Sequence, residues 1–344
     1  LKSAYDTAIK GEISQAVSDR NMILAKEILL SVGRYGGLKA KTLASKLVAA
    51  LKEAMKLGVD LDNEEERNQV FDTVVFRVRY LDETDESIHG TCVLNLANVK
   101  YGKDWTKIRG GKIATVFQDP MTSLNPIITI GKQITSVILK HQNCSEIEAR
   151  QRALELMKKV GIPNAEARFD DYPFQYSGGM RQRIVIAIAL SCQPKILICD
   201  EPTTALDVTI QAQILELMQD LQKKLGLTYL FIAHDLLVVK HISTRIAVMY
   251  LGKLIEIGPS NDLYHNPLHP YTKALFSAIP NPDPSVKMKR IALCGDIPSP
   301  ANPPKGCRFH TRCPYATEKC KHVPPQYHEY GDGHFAACHI LNEE

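Results

Sequence analysis

The stretch KILICDEPTTALD, residues 195–207, decides the fold of this chain. A run of apolar residues ends at Asp200 and Glu201, and a proline and two threonines follow. Such a run predicts a buried strand of a parallel sheet, and open α/β sheets bind ligands at the carboxyl ends of their strands. Asp200 is placed to hold Mg²⁺ through water, and Glu201 to orient and deprotonate an attacking water.

Outward from this strand, the sequence alternates between strand and helix patterns. KIATVF (112–117) and TYLFIAHD (228–235) are further apolar strands, and the amphipathic segment 210–226 predicts a helix between two of them. Residues 130–160 also have helical spacing. The β-α-β order predicts an α/β fold in which a parallel sheet is flanked by helices.

The N-terminal third has a different pattern. Residues 1–80 have mainly helical spacing, including 42–58, which ends at Gly58. TVVFRVRYL (73–81) and CVLNLANV (92–99) are predicted strands.

Composition limits the classes of protein that fit. With 344 residues, 44% hydrophobic and 23% charged, the chain is long enough for two globular domains. A net charge of +4 is too small to indicate nucleic-acid binding. No apolar run approaches the roughly 18 residues of a membrane span. The chain begins at Leu1 without a signal-like segment, and we expect its true N-terminus to lie upstream.

Three further motifs carry candidate functional residues. In YSGGMRQRIVIAIAL (176–190), Ser177 is a predicted helix N-cap, and Gly178 and Gly179 leave backbone N–H groups open to an anion. Gln118 in VFQDP and His234 in FIAHD each follow a predicted strand. Taken singly, these motifs also fit a capped helix, a surface turn and a structural histidine; their order favours the functional interpretation.

Together, Gln118, YSGGMRQR, ICDEPTTALD and FIAHD resemble the Q-loop, signature, Walker B, D-loop and switch histidine of ABC ATPases. FQDPMTSLNP, GGMRQR and NPLHPYTKAL look more narrowly like the ATP-binding subunits of oligopeptide and dipeptide importers. The motifs place this resemblance at about 105–340. The implied domains are an unrecognised N-terminal region (1–104), an ABC-type P-loop NTPase core with a helical subdomain (105–258, subdomain about 130–178), and a loop-rich C-terminal extension (259–344).

The resemblance implies a sandwich of two ATPase subunits around two ATP molecules with Mg²⁺. Glu201, His234 and Gln118 are then the catalytic residues, with Asp200 and Gln118 near Mg²⁺. The residues that would face the partner's ATP are Ser177, Gly178, Gly179 and Gln182. Asp207 would contact the partner subunit. The implied partners are a homologous second ATPase subunit, two membrane-spanning permeases, and through them an extracytoplasmic peptide-binding protein. The chain would sit peripherally on the cytoplasmic face of the membrane.

A phosphate-binding loop is expected in this family, and SVGRYGGLKAKT (31–42) is the nearest candidate. It departs from the G-x-x-x-x-G-K-S/T pattern, because Leu38 stands where a glycine is needed and Ala40 where a hydroxyl would bind Mg²⁺. We predict a helix–turn–helix connection there instead. Either the loop was encoded before Leu1, or the chain is a degenerate subunit that lends only its signature motif; the intact Glu201 and His234 favour the first.

The C-terminal region contains a cysteine cluster. Nine cysteines in a chain without a secretory signature suggest a reducing compartment, where clustered cysteines bind metal more often than they form disulfides. Cys307, Cys313, Cys320 and Cys338 lack the paired C-x-x-C spacing of common zinc sites. Four thiolates suit an iron–sulfur cluster, and the resemblance implies a four-iron four-sulfur cluster. Zinc and unligated thiols remain open, with His310, His322 and His339 as rival ligands.

These observations favour the ATP-binding subunit of an oligopeptide or dipeptide ABC importer. The alternatives are a soluble ABC ATPase of repair or translation, against which NPLHPYT and the cysteine module argue, and a non-catalytic half-site.

Overall fold

The computed structural model describes residues 15–35, 38–61, 63–74, 76–98, 105, 108–204, 206–279 and 290–342. The chain divides into two compact units, residues 1–107 and 108–344. No helix among the described residues is both long and apolar enough to cross a membrane.

The first unit combines helices with a hairpin. Its elements are α1 (Gln15–Tyr35), α2 (Leu38–Lys56), α3 (Glu64–Asp72), β1 (Phe76–Glu83) and β2 (Ile88–Leu94). Leu47, Phe71, Val74 and Val78 form its core. The Val78 N–H donates to Ser31 Oγ at 2.7 Å and so fixes β1 against α1. The strand predicted at 92–99 instead runs from Ile88 to Leu94, because the antiparallel pairing of Glu83 with Ile88 sets where β2 begins.

The candidate phosphate loop 31–42 lies in helices on both sides. Residues 31–35 end α1 and residues 38–42 begin α2, as predicted, while residues 36 and 37 lie outside the described part. A phosphate-binding loop of this type follows a strand, whereas this stretch begins inside a helix of 21 residues.

The second unit is built on a parallel sheet in the order β3-β4-β5, which confirms the predicted α/β fold. The strands are β3 (Ile113–Val116), β4 (Ile196–Asp200) and β5 (Thr228–Ile232). The helices of this part are α4 (Pro120–Ser123), α5 (Ile130–His141), α6 (Glu146–Lys159), α7 (Ala165–Arg168), α8 (Gly178–Leu190), α9 (Val208–Leu225) and α10 (Leu236–Ile242).

The side chains on the two faces of this sheet differ in burial. Val116, Leu197 and Cys199 are fully buried on one face, against helices that include α8 and α9. Because side chains alternate along a strand, Ile196, Leu230 and their neighbours in register lie on the other face. There Phe117 is 57% exposed, Leu230 55% and Ile232 47%. We call this surface the open face.

A second, antiparallel sheet joins the C-terminal region to the rest of this unit. Its strands are β6 (Arg245–Tyr250), β7 (Lys253–Pro259), β8 (His328–Glu329) and β9 (Phe335–Ala336), in the order β6-β7-β9-β8. Helices α11 (Ser260–His265), α12 (Pro270–Ser277) and α13 (Glu318–His322) lie between β7 and β8. The boundary predicted at 258/259 therefore falls inside a strand that pairs with the C-terminal region.

Buried Glu256 ties these pieces together. Its carboxylate accepts the Leu268 N–H at 2.7 Å and the His269 N–H at 2.9 Å, and it lies 2.8 Å from His334 Nε2. Burial lowers the pKa of His269 to about 4, so its ring is neutral and Nδ1 can accept the Tyr271 N–H that caps α12. The NPLHPYT motif thus builds a helix start against Glu256.

Candidate functional site

Glu201 is the centre of the candidate site, and residues from three strand ends meet at its carboxylate. Gln118, which follows β3, donates from Nε2 to Glu201 Oε2 at 2.8 Å. His234, which follows β5, has Nδ1 3.1 Å from Glu201 Oε1. The structure therefore brings together the three residues that the sequence motifs predicted to act in catalysis, because the carboxyl ends of parallel strands meet at one edge.

The backbone at this edge is unusual. Glu201 has φ +44°, in the left-handed region that non-glycine residues rarely adopt. Its N–H donates to the Ile232 carbonyl at 2.9 Å, and its carbonyl accepts from the Thr204 N–H at 3.3 Å. A tight turn after β4 thus aims the side chain across the sheet edge.

Hydrogen bonds to Glu201 favour its charged form. The bond with His234, and next that from Thr204 Oγ1 to Oε2 at 3.0 Å, lower the pKa of Glu201 below its ordinary value. The carboxylate is therefore ionised and able to accept a proton at neutral pH. Thr204 is not singled out by the sequence motifs; its only local signal is a hydroxyl three residues after the carboxylate.

Asp200 occupies the end of β4 and is exposed. By the alternation of side chains it shares the open face with Ile196 and Ile232, its register partner on β5. A cation held by Asp200 would therefore be approached from that side of the sheet.

The signature motif begins helix α8 as predicted. Ser177 Oγ accepts the Met180 N–H at 3.4 Å as the N-cap. A Cβ on Gly178 would meet nothing within 4 Å, whereas a Cβ on Gly179 would lie 2.7 Å from Ile210 Cγ2. Gly179 is thus required by packing against α9, while Gly178 leaves open space above the helix end.

Two other residues of the predicted nucleotide site, Gln182 and Asp207, differ in their surroundings. Gln182 is fully buried, and neither its Oε1 nor its Nε2 has a hydrogen-bond partner among the described residues. Contact with a nucleotide would require this side chain to leave the interior. Asp207 caps α9, accepting the Ile210 N–H at 3.0 Å.

The four C-terminal cysteines lie near one another. Gly306 has φ +65°, and its missing Cβ allows an approach to the Cys320 carbonyl, which accepts the Cys307 N–H at 2.8 Å. Burial first, and also the neighbouring thiols of Cys313, Cys320 and Cys338, raise the pKa of Cys307 to about 11. The described residues nevertheless contain no group of three or more His, Cys, Asp or Glu side chains arranged to hold a metal ion.

Comparisons with known proteins match both parts of the second unit. Residues 78–204 match the family model described as ABC transporter, and residues 255–320 match that of the oligopeptide/dipeptide transporter C-terminal region. The first match takes in β1 and β2, whereas the sequence motifs place the resemblance from about residue 105. A solved structure of the ATP-binding cassette MJ0796 bound to ADP and Pi is 31% identical over 50% of this chain and 74% of that one, with a TM-score of 0.43.

Curated relatives are more similar. The oligopeptide transport ATP-binding protein AppD of Bacillus subtilis is 51% identical over 241 residues, 70% of this chain and 73% of that protein. The dipeptide transport ATP-binding protein DppD of Lactococcus lactis subsp. cremoris is 49% identical over 249 residues, 72% of this chain and 71% of that protein.

Proposed function

The chain belongs to the family of ATP-binding proteins of oligopeptide and dipeptide ABC transporters, and from this membership we propose that it binds ATP with Mg²⁺ and hydrolyses it to energise peptide import. The observation that carries the proposal is the Glu201 carboxylate, which contacts Gln118 and His234 at the end of the sheet and whose pKa is lowered by its hydrogen bonds with His234 and Thr204. Glu201 is the general base for the attacking water, Asp200 holds Mg²⁺, and His234 lies beside the base.

The phosphate-binding loop is proposed to come from a segment that covers the open face. Parallel sheets are normally buried on both faces, yet Leu230 and Ile232 are exposed here. A helix on that face, starting at the strand ends beside Asp200, would bury these residues and direct backbone N–H groups at a phosphate. SVGRYGGLKAKT lacks the residues for this role, so another segment is proposed to supply it.

The test compares this chain with a form extended upstream, each with its partner subunit. We expect negligible Mg²⁺-dependent ATPase activity from the first and measurable activity from the second. In the extended form, Glu201→Gln should retain ATP binding and lower turnover roughly 100-fold or more, the scale of a lost general base. An extended form that binds ATP but stays inactive would support the degenerate half-site instead.

The partners are proposed from the same membership. A second, homologous ATPase subunit would complete each ATP site, with Ser177, Gly178 and Gly179 facing its nucleotide. The space above Gly178 supports a close approach there. Two permeases would dock near Gln118 and reach an extracytoplasmic peptide-binding protein, with this chain peripheral on the cytoplasmic membrane face. Co-purification of the permeases with the chain tests this assignment against a soluble ATPase.

The cysteine module is proposed to bind a four-iron four-sulfur cluster through Cys307, Cys313, Cys320 and Cys338. Four cysteines of one region, whose thiols affect the pKa of Cys307 and Cys313, are the type of donor that such a cluster uses. Burial raises the pKa of the Cys307, Cys313 and Cys338 thiols. The raised pKa favours the protonated thiols until a metal binds and displaces the protons. The cluster would then join segments that share an apolar core with β6 and β7 through Phe309.

Anaerobic purification tests the cluster without an activity assay. The protein should be brown and contain about four irons with matching acid-labile sulfide per chain. Cys313→Ser should bleach it and increase protease cleavage within 300–340. Cys294→Ser, which changes an exposed cysteine outside the set, should leave the colour intact. Colourless protein with about one zinc per chain would replace the cluster by a zinc site.

A further inference from the structure

The two oxygens of the Glu201 carboxylate have different surroundings. Oε2 accepts two hydrogen bonds, from Gln118 Nε2 at 2.8 Å and from Thr204 Oγ1 at 3.0 Å. Oε1 has one partner among the described residues, His234 Nδ1 at 3.1 Å. Since each carboxylate oxygen offers about two lone-pair positions, Oε2 is fully engaged and Oε1 has a position free.

We propose that Thr204 is a positioning residue for Glu201, and that its hydroxyl and the Gln118 amide together leave Oε1 as the oxygen that takes the proton from water. The inference rests on the proposed function, in which Glu201 is the general base. In this step Oε1 accepts a proton from the attacking water, whose oxygen forms the new bond to the γ-phosphorus as the bond to the ADP oxygen breaks.

Thr204 is well placed for this role because it forms hydrogen bonds with both the backbone and the side chain of Glu201. Its N–H donates to the Glu201 carbonyl at 3.3 Å, and its hydroxyl donates to the Glu201 side chain. Glu201 keeps φ +44° within this turn, a conformation that persists only when its surroundings determine it. A threonine three residues after the base therefore fixes its backbone and its carboxylate together.

The pKa of Glu201 provides a readout that does not depend on activity. Removing a donor to the charged form raises a carboxyl pKa, so Thr204→Val should raise that of Glu201, and Thr204→Ser should restore it. The pKa is followed by ¹³C NMR of the full chain labelled at glutamate Cδ, with the Glu201 signal assigned by its loss in Glu201→Gln. Thr135→Val, whose hydroxyl bonds only to the Lys132 carbonyl among the described residues, is the matched control and should leave this pKa unchanged.

Turnover in the assembled transporter provides the second readout. Thr204→Val should lower kcat roughly 10- to 150-fold, the scale of one hydrogen bond to a charged group, with Thr204→Ser close to wild type. The acid limb of the pH–rate profile should move to higher pH, because the base then loses its proton at a higher pH. A change in kcat without movement of this limb would indicate a purely structural turn and would overturn the proposal.

The two readouts separate this inference from the proposed function. An unchanged Glu201 pKa in Thr204→Val overturns the positioning contact, whatever the turnover. A raised pKa that Thr204→Ser reverses, in an extended transporter that hydrolyses no ATP even as wild type, upholds the contact and overturns the proposed function. A raised pKa together with a shifted acid limb supports both.

Discussion

At the scale of single residues, two neighbouring glycines are needed for different reasons, one for helix packing and one for the proposed approach of a ligand. Gly178 and Gly179 are neighbours at the start of α8, but only Gly179 lies against another helix. The sequence motif does not distinguish the two glycines, whereas the structure shows a different reason for the absence of a side chain at each. Their alanine variants therefore form a matched pair.

Gly179→Ala should destabilise the fold by about 1–3 kcal/mol, because its Cβ would lie 2.7 Å from Ile210 Cγ2 and stiff branched side chains yield little. Gly178→Ala should leave stability unchanged or raise it slightly, since alanine favours the helix. Urea unfolding followed by circular dichroism measures both.

The effect of these substitutions on ATP turnover should differ from their effect on stability. Gly178→Ala should impair ATP turnover in the assembled transporter although the fold is intact, because the added methyl group would stand where the partner's nucleotide approaches. Full turnover in Gly178→Ala would contradict the proposed contact between this helix end and the nucleotide. Equal stability losses in the two variants would contradict the packing difference.

At the scale of elements, the described residues of the parallel sheet are buried on one face and largely exposed on the other. Leu197 on β4 is fully buried, and Leu230 on the neighbouring strand β5 is 55% exposed. The register pairs Leu197 with Tyr229, so Leu230 falls on the opposite face. Substitution of each leucine therefore tests the burial of one face of the sheet separately.

Leu197→Ala should cost about 2–5 kcal/mol of unfolding free energy in this chain, the usual range for a fully buried leucine. Leu230→Ala should change it by less than about 0.5 kcal/mol, as for an exposed site. Urea unfolding of the chain as it stands measures both. In the upstream-extended form, Leu230→Ala should become costly, because the proposed covering helix would then bury it.

A large cost of Leu230→Ala in the present chain would mean that this face is already covered. An equally small cost in the extended form would remove the argument that the phosphate-binding segment packs on this face.

At the scale of the whole second unit, Glu256 connects distant parts of the chain. It lies on β7, binds the backbone before α12, and contacts His334, which precedes β9. Removing one partner of a set of buried hydrogen bonds leaves the other polar groups unsatisfied, so Glu256 should control how firmly the C-terminal region is held.

Glu256→Gln should lower the free energy of unfolding by about 2–3 kcal/mol, because an amide offers only one acceptor oxygen to three donors and carries no charge. Limited proteolysis should then cut more readily within 290–342, as identified by mass spectrometry. Glu216→Gln, an exposed glutamate on α9, is the control and should change neither measurement. Unchanged protease resistance in Glu256→Gln would contradict the connecting role.

The sequence by itself determined the parallel strands, the order of the motifs and the residues at the sheet edge. Apolar runs report burial locally, and parallel strands necessarily bring their carboxyl ends together, so Gln118, Glu201 and His234 could be predicted to meet. The helices that contain 31–35 and 38–42 also followed from local spacing.

Only the tertiary structure decided which atoms share a partner and which surfaces stay uncovered. Thr204 and Gln118 bond to the same oxygen although Gln118 is 83 residues from Glu201 in sequence. The pairing of β7 with β9, the burial of Gln182 and the open face likewise depend on contacts between distant segments. Local sequence patterns report a residue's own periodicity but not the identity of its long-range neighbours, because those are selected by the packing of the whole unit.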